Sequence, residues 1–334
     1  MAVLSTAVPQ DLRERLARAG VTDVRPMPGG ASSLTYRGML DARPVVVKVA
    51  PQGVAPVGHR DVLRQARMLR ALGPTTVPVP GVALEDPGEP PARPPLFAMS
   101  LLEGDCVEPL FDVGTELPPA ETVATRFHSA ATVLARLHRV DTVEAGVAGE
   151  PVVSPRDEID RWSRALQTVD PALAPGWRSV QTLLESSVPA PMPPVIVHGD
   201  FRLGNLLVRG TEVTGVIDWE IWSLSDPRID LGWFLVNCDP MTYRRTGAPV
   251  PAAADLIATY RDQSGAEPRD LGWFQALACF KSAATWSLIV KHNRRRTVPD
   301  PGVEAMAGAL PGLLDRARHF TAAARRAERG RPRT

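Results

Sequence analysis

The apolar pattern changes period along the chain. Up to about residue 100 the apolar positions fall in short runs broken by Gly- and Pro-rich turns, and beyond it they recur mostly at helical spacing. Residues 12–19 have helical periodicity. Residues 24–27 and 34–39 read as strands on either side of the turn PGGASS, and PVVVKV at 44–49 reads as a third strand. Residues 61–72 are amphipathic, with Val62, Leu63, Ala66, Leu69 and Leu72 on one helical face. Strands at 77–84 and 95–102 bracket EDPGEPPARPP, whose prolines forbid regular pairing. Helices are expected at 120–138, 155–166, 175–186, 229–237, 253–264, 270–292 and 303–324. This order implies an α+β fold of two lobes, residues 1–102 and 103–334, with 322–334 as a flexible basic tail.

One stretch interrupts the helical part and carries chemistry. In VIVHGDFRLGNLLVRGTEVTGVIDWE, residues 195–220, Asp200 follows an apolar run and a His-Gly pair. Asn205 lies five residues later, and Asp218 closes a second apolar run after a turn at Arg209 and Gly210. The pattern reads as strand, loop, hairpin. An Asp on a short loop anchored by strands can stay ionised and accept a proton from an alcohol. Asn205 and Asp218 bring oxygen ligands suited to magnesium. Phosphoryl transfer divides the work this way, with one Asp on the attacking hydroxyl and a downstream Asn and Asp on the metal ions that bridge the nucleotide phosphates. Arg202 is placed to neutralise charge on the transferring group. Alone, HGD could be a polar strand end; the full set in strand-loop-strand context is far more specific.

HGDFRLGNLLV, GVIDWE and SDPRIDLGWFL closely resemble the aminoglycoside phosphotransferase and choline-kinase-like family, from about residue 24 to 292. The HGDFRLGN and KHNRRR segments look most like the branch of the N-terminal kinase domains of acyl-CoA dehydrogenase 10 and 11. The resemblance implies a protein-kinase-like fold, ATP or GTP with magnesium, and transfer of the γ-phosphoryl group to a small-molecule hydroxyl. It also implies that Asp230 braces the catalytic loop and that the backbone of Ser100 and Leu102 meets the adenine. His198, at the end of an apolar strand, reads as a buried imidazole that fixes the loop.

The nucleotide-binding residues then fall into place in the first lobe. Gly29, Gly30, Ser32 and Ser33 sit at the first hairpin, where glycines let a backbone approach phosphate oxygens and a serine adds a donor. Lys48 is a lone charge in an apolar strand, a position for a phosphate-binding lysine. Its expected partner on the next helix is a Glu, and Gln65 stands there instead, able to accept a hydrogen bond but not to supply countercharge. Asp61 is a possible substitute. The triplet His59-Arg60-Asp61 imitates a kinase catalytic motif but precedes a helix, where Asp61 reads as an N-terminal carboxylate.

Composition narrows the setting. With 44% hydrophobic and 22% charged residues the chain is ordinary globular protein, and a net charge of +1 gives no drive toward nucleic acid or membrane. Cys106, Cys238 and Cys279 are too few and too scattered for a disulfide framework or structural zinc, and neither an apolar leader nor an 18-residue apolar run occurs. The expectation is a cytoplasmic protein with no obligate protein partner. Residues 241–334 carry sixteen Lys and Arg against eight Asp and Glu. Such a basic region suits an anionic acceptor, such as a hydroxyacyl-CoA or hydroxy acid, over a polycationic aminoglycoside, with Trp222, Lys281 and His292 as candidate acceptor residues. Antibiotic phosphotransfer is one alternative. A nucleotide-binding pseudokinase, motivated by Gln65, is another.

Overall fold

A strand that is apolar at nearly every position must be covered on both faces, and the Val-rich third strand is built that way. The computed structural model describes residues 8–27, 33–108, 118–242 and 250–329. The chain divides into two units, the first made of Met1–Asp105, Asn205–Arg209 and Val213–Trp222, the second of Cys106–Gly204, Gly210–Glu212 and Ser223–Thr334.

The first unit is built on a five-stranded antiparallel sheet in the order β1-β2-β3-β5-β4. Its strands are β1 (Val21–Pro26), β2 (Leu34–Leu40), β3 (Arg43–Val49), β4 (Val82–Asp86) and β5 (Leu96–Ser100). Asp41 and Ala42, both at positive φ, form the tight turn from β2 to β3. On β3, Val45, Val47 and Val49 point into a core with Leu12, Leu16, Val21 and Val24 beneath helix α1 (Gln10–Arg18). By alternation Lys48 faces the other way. Helix α2 (Val62–Leu72) packs on β4 and β5 and is capped by Asp61, whose carboxylate accepts the amides of Leu63 and Arg64, each at 3.1 Å.

The second unit is mainly helical. It comprises α3 (Ala120–His138), α4 (Pro155–Gln167), α5 (Trp177–Glu185), α6 (Arg228–Asn237), α7 (Ala253–Ser264), α8 (Leu271–Asn293), α9 (Pro301–Ala305) and α10 (Leu310–Arg329). A small sheet of β6 (Val152–Val153), β7 (Val195–Val197) and β10 (Ser223–Ser225) runs in the order β6-β10-β7. Every residue of α6 is buried. It lies so close to α8 that a β-carbon on Gly232 would stand 2.8 Å from the Phe274 carbonyl carbon.

Four sequence expectations change. Residues 77–81 are not strand, because Pro78 and Pro80 lack the N–H that a ladder needs, and β4 starts at Val82. The helix expected at 303–324 is broken into α9, a 3₁₀ turn at Met306–Ala309 and α10. Residues 322–329, expected as loose tail, continue α10. The lobe division at residue 102 is incomplete, since the hairpin of β8 (Leu206–Arg209) and β9 (Glu212–Val216) returns almost whole to the first unit. There Val216 N–H donates to Pro78 O at 2.8 Å, and Val208 pairs with Asp105.

Candidate active site

In the second unit, β7 runs directly into the loop that carries Asp200. Gly199 has φ +86°, a left-handed conformation that glycine adopts at no steric cost. Its amide donates to Asp230 Oδ1 at 2.8 Å, and the His198 amide donates to Asp230 Oδ2 at 2.6 Å. The Asp200 amide donates to His198 Nδ1 at 3.1 Å, which makes that nitrogen an acceptor and leaves the ring proton on Nε2. Asp230 is fully buried on α6, and His138 Nε2 of α3 faces it at 3.6 Å. Burial alone would push the Asp230 carboxyl up; the His138 and His198 contacts outweigh it and hold the group below the usual carboxylate range. The loop backbone is thus clamped by one buried anion.

The Asp200 side chain is oriented separately. Trp233, one helical turn beyond Asp230, donates its indole N–H to Asp200 Oδ1 at 2.8 Å. Arg202 Nε stands 3.4 Å from the same oxygen, and Arg202 Nη1 stands 3.8 Å from the buried Glu108, which also accepts the Gly204 amide at 3.1 Å. Lys281 of α8 is buried, donates to Gly199 O, and lies 4.1 Å from the centroid of the Trp233 ring.

In the first unit a second cluster forms. Lys48 Nζ is 2.7 Å from Asp218 Oδ1 and 3.2 Å from Gln65 Oε1. Gln65 therefore does accept from the lysine, and the countercharge that it cannot supply comes from Asp218, not Asp61, whose carboxylate caps α2. The Ile217 amide donates to Asn205 O at 3.0 Å, so the open end of the hairpin brings Asn205 beside Asp218. Asp218 has φ +67°, unusual for a residue with a β-carbon and of the kind found where geometry is held for function. An Asn and an Asp brought together at the end of one hairpin are oxygen-bearing residues of the kind that fit magnesium, which takes few protein ligands and completes its shell with water and phosphate.

The remaining candidates divide. Ser33 is buried, and Gly29, Gly30 and Ser32 lie outside the described residues. Ser100 N–H is engaged by Gly81 O at 2.8 Å within the sheet, so the Ser100 amide is not a donor to a base, and Leu102 follows the end of β5 half-buried. Trp222 is not an acceptor residue. Its ring is buried, stacked at 3.8 Å on the Arg64 guanidinium, with its N–H on Arg64 O. His292 is exposed eleven residues along α8 from Lys281, a separation of about 16 Å at helical rise. Lys281 is not a surface charge, and several of the basic residues are paired with acids, as in Arg294 with Glu304, Arg316 with Asp239 and Arg318 with Asp315. Sequence reasoning missed Trp233 as a partner of Asp200; its position three residues after Asp230, on the same helical face, was the available signal.

Comparison with known proteins places this geometry. The model of the Phosphotransferase enzyme family matches residues 23–274. Acyl-CoA dehydrogenase family member 10 of Mus musculus is 26% identical over 307 residues, covering 86% of this chain and 29% of that protein. Acyl-CoA dehydrogenase family member 11 of Mus musculus is 28% identical over 140 residues, covering 38% of this chain and 18% of that protein. The chain thus spans less than a third of the length of these curated relatives. Among solved structures, a Ralstonia eutropha protein assigned as an aminoglycoside phosphotransferase superposes with TM-score 0.72 at 21% identity, over 93% of this chain and 97% of that one. A thermostable mutant of aminoglycoside phosphotransferase APH(4)-Ia, in ternary complex with ADP and hygromycin B, gives TM-score 0.61 at 15% identity, over 92% and 98%. The shared fold is kinase-like, with a β-sheet lobe and a helical lobe.

Proposed function

The chain belongs to the Phosphotransferase enzyme family, and we propose that it transfers the γ-phosphoryl group of ATP to a hydroxyl of a small anionic acceptor, such as a hydroxyacyl-CoA or hydroxy acid. The observation that carries the reading is the collection of Lys48, Asn205 and Asp218 at one place in the first unit, although Lys48 and Asp218 are 170 residues apart in sequence. Lys48 binds the phosphates, assisted by Ser33 and by Gly29, Gly30 and Ser32, and moves from Asp218 to the nucleotide when it arrives. Asn205 and Asp218 would hold magnesium, which when bound neutralises the phosphate oxygens. Asp200, with Oδ1 fixed by Trp233, orients the acceptor hydroxyl and takes its proton. Arg202 offsets charge on the transferring group. The backbone at Leu102 meets the adenine.

Two features support an anionic acceptor. Among the described residues, the acids Glu108, Glu158 and Asp230 around Asp200 and Lys281 are engaged by the protein itself, by the Gly204 amide, Trp162 and the loop amides in turn, and so do not present themselves to a polycation. The cation Arg202 neighbours Asp200, with its side chain 29% exposed. The sequence relatives named as acyl-CoA dehydrogenase family members point the same way. The second reading, an aminoglycoside or macrolide phosphotransferase, is favoured by the solved structures of similar fold.

The test is magnesium-dependent ATP consumption with panels of hydroxyacyl-CoAs, hydroxy acids, aminoglycosides and macrolides. Stimulation by the anionic acceptors that Asp200→Ala abolishes is the expected result. Stimulation by the antibiotics alone would transfer the assignment to the second reading, and tight ATP binding with no turnover on any acceptor would point to a pseudokinase.

A further inference from the structure

Lys281 is a buried charge that stability alone does not explain. An ammonium taken out of water loses hydration that a well-packed methionine of similar length would never need, so a buried lysine is retained where it does something else. Its surroundings are specific. The ammonium donates to Gly199 O, lies 4.1 Å from the centroid of the Trp233 ring and 5.6 Å from that of Trp162, and has Asp200, Glu158 and Asp230 as its attractive charges against Arg161. Trp162 is itself fixed, its N–H donating to Glu158 Oε2 at 2.7 Å. Burial pulls the ammonium below the usual lysine range, with the neighbouring carboxylates opposing that fall.

Resting on the kinase reading above, we infer that Lys281 is a positioning residue for Asp200, acting through Gly199 O and through the Trp233 indole. The peptide plane ahead of Asp200 is gripped from both sides, its neighbouring amide by Asp230 and its carbonyl by Lys281. A cation over the face of an indole draws electron density from the ring and makes the ring N–H a stronger donor. That N–H is the one on Asp200 Oδ1, so the lysine charge tightens the bond that aims the carboxylate. Nothing in this arrangement requires Lys281 to touch the acceptor. The buried charge is held by a carbonyl, two ring faces and the field of three carboxylates.

The test compares Lys281→Met, Lys281→Arg, Trp233→Phe and the Met/Phe double variant. Lys281→Met should fold, with a melting temperature within about 3 °C of the parent, because methionine is a near-isosteric gap-filler. Its kcat should fall about 10- to 100-fold with KM for ATP and acceptor within about twofold, the pattern of a group that aims the base and binds neither substrate. Lys281→Arg should recover part of kcat. The double variant should be no slower than the worse single one, since both substitutions sever the same path. Losses that multiply, a loss confined to the acceptor KM, or an unchanged kcat would each overturn the inference. A readout independent of turnover separates this inference from the kinase reading. The Trp233 indole N–H resonance, assigned by its disappearance in Trp233→Phe, should move upfield in Lys281→Met as its hydrogen bond weakens. A parent protein without kinase activity in which that resonance still moves would sink the kinase reading and leave the Lys281 path standing; a resonance that stays put would remove the path.

Discussion

Replacing Asp230 with asparagine tests whether one buried carboxylate holds the loop that carries Asp200. The carboxylate accepts from the His198 amide at 2.6 Å and the Gly199 amide at 2.8 Å, and faces His138 at 3.6 Å. Asparagine keeps one acceptor. Its NH2 must then confront an amide donor, so one bond is lost, the other loses its charge assistance, and a buried N–H is left without an acceptor. Hydrogen bonds to a charged group contribute about 1.5–3 kcal/mol each, and breaking a buried charged contact by removing one partner costs about 3–5 kcal/mol. A loss of about 3–5 kcal/mol is therefore expected for Asp230→Asn, or a melting temperature lower by about 6–20 °C for a unit of this size. Guanidinium unfolding followed by circular dichroism measures it. The pH dependence has a definite sign. The folded Asp230 carboxyl sits below its ordinary value of 3.8, so its contribution is complete above that value and fades as pH falls through the lower folded value. The gap between parent and variant should therefore shrink only under strongly acidic conditions. A stability loss under about 1 kcal/mol at pH 7 would refute the clamp, since that is no more than one ordinary neutral hydrogen bond.

Three further outcomes are expected. Lys48→Met should lower kcat/KM for ATP about 100-fold or more, as loss of a preorganised donor to phosphate does, and steady-state kinetics with varied ATP checks it. Gln65→Glu should raise stability by about 1 kcal/mol, because it replaces a buried amide nitrogen that has no partner with an oxygen and gives Lys48 a second anion; thermal unfolding of the two proteins compares them directly. Gly232→Ala should destabilise by about 1–3 kcal/mol, since its β-carbon would meet Phe274 backbone atoms at 2.8 and 2.9 Å and neither helix can yield without repacking; denaturant midpoints report the change.

Much of both lobes was legible because their elements obey simple periods. The Val-rich β3, the amphipathic α2 and the Asp200, Asn205 and Asp218 spacing all lie where local pattern put them. What pattern could not convey was depth and partnership. Lys281 and the basic run after it look alike in sequence, yet one is buried beneath the Asp200 loop and Arg294 is exposed and paired with Glu304. Trp233 reads as one more apolar residue on a helix that is buried all round, and only its ring nitrogen tells otherwise. The meeting of Lys48 with Asp218 spans too much chain for any window to register, and the break before α10 follows from Gly308 and neighbouring short side chains that permit helix without enforcing it.

The hairpin that rejoins the first unit sets a schedule for synthesis. A ribosome that has released residue 105 has delivered all five strands of the sheet but not the pieces that complete the unit, since Val216 for Pro78, Val208 for Asp105, Asp218 for Lys48 and Trp222 for Arg64 are still to come. Roughly 120 more residues must be added, which at about 5–20 residues per second is between about 6 and 24 s of waiting with Lys48 lacking Asp218 and Arg64 lacking Trp222. Cutting the gene at the visible end of the sheet would make that wait permanent, so a fragment ending near residue 105 should collect in inclusion bodies, whereas one that supplies residues 205–222 through a short linker should stay in solution.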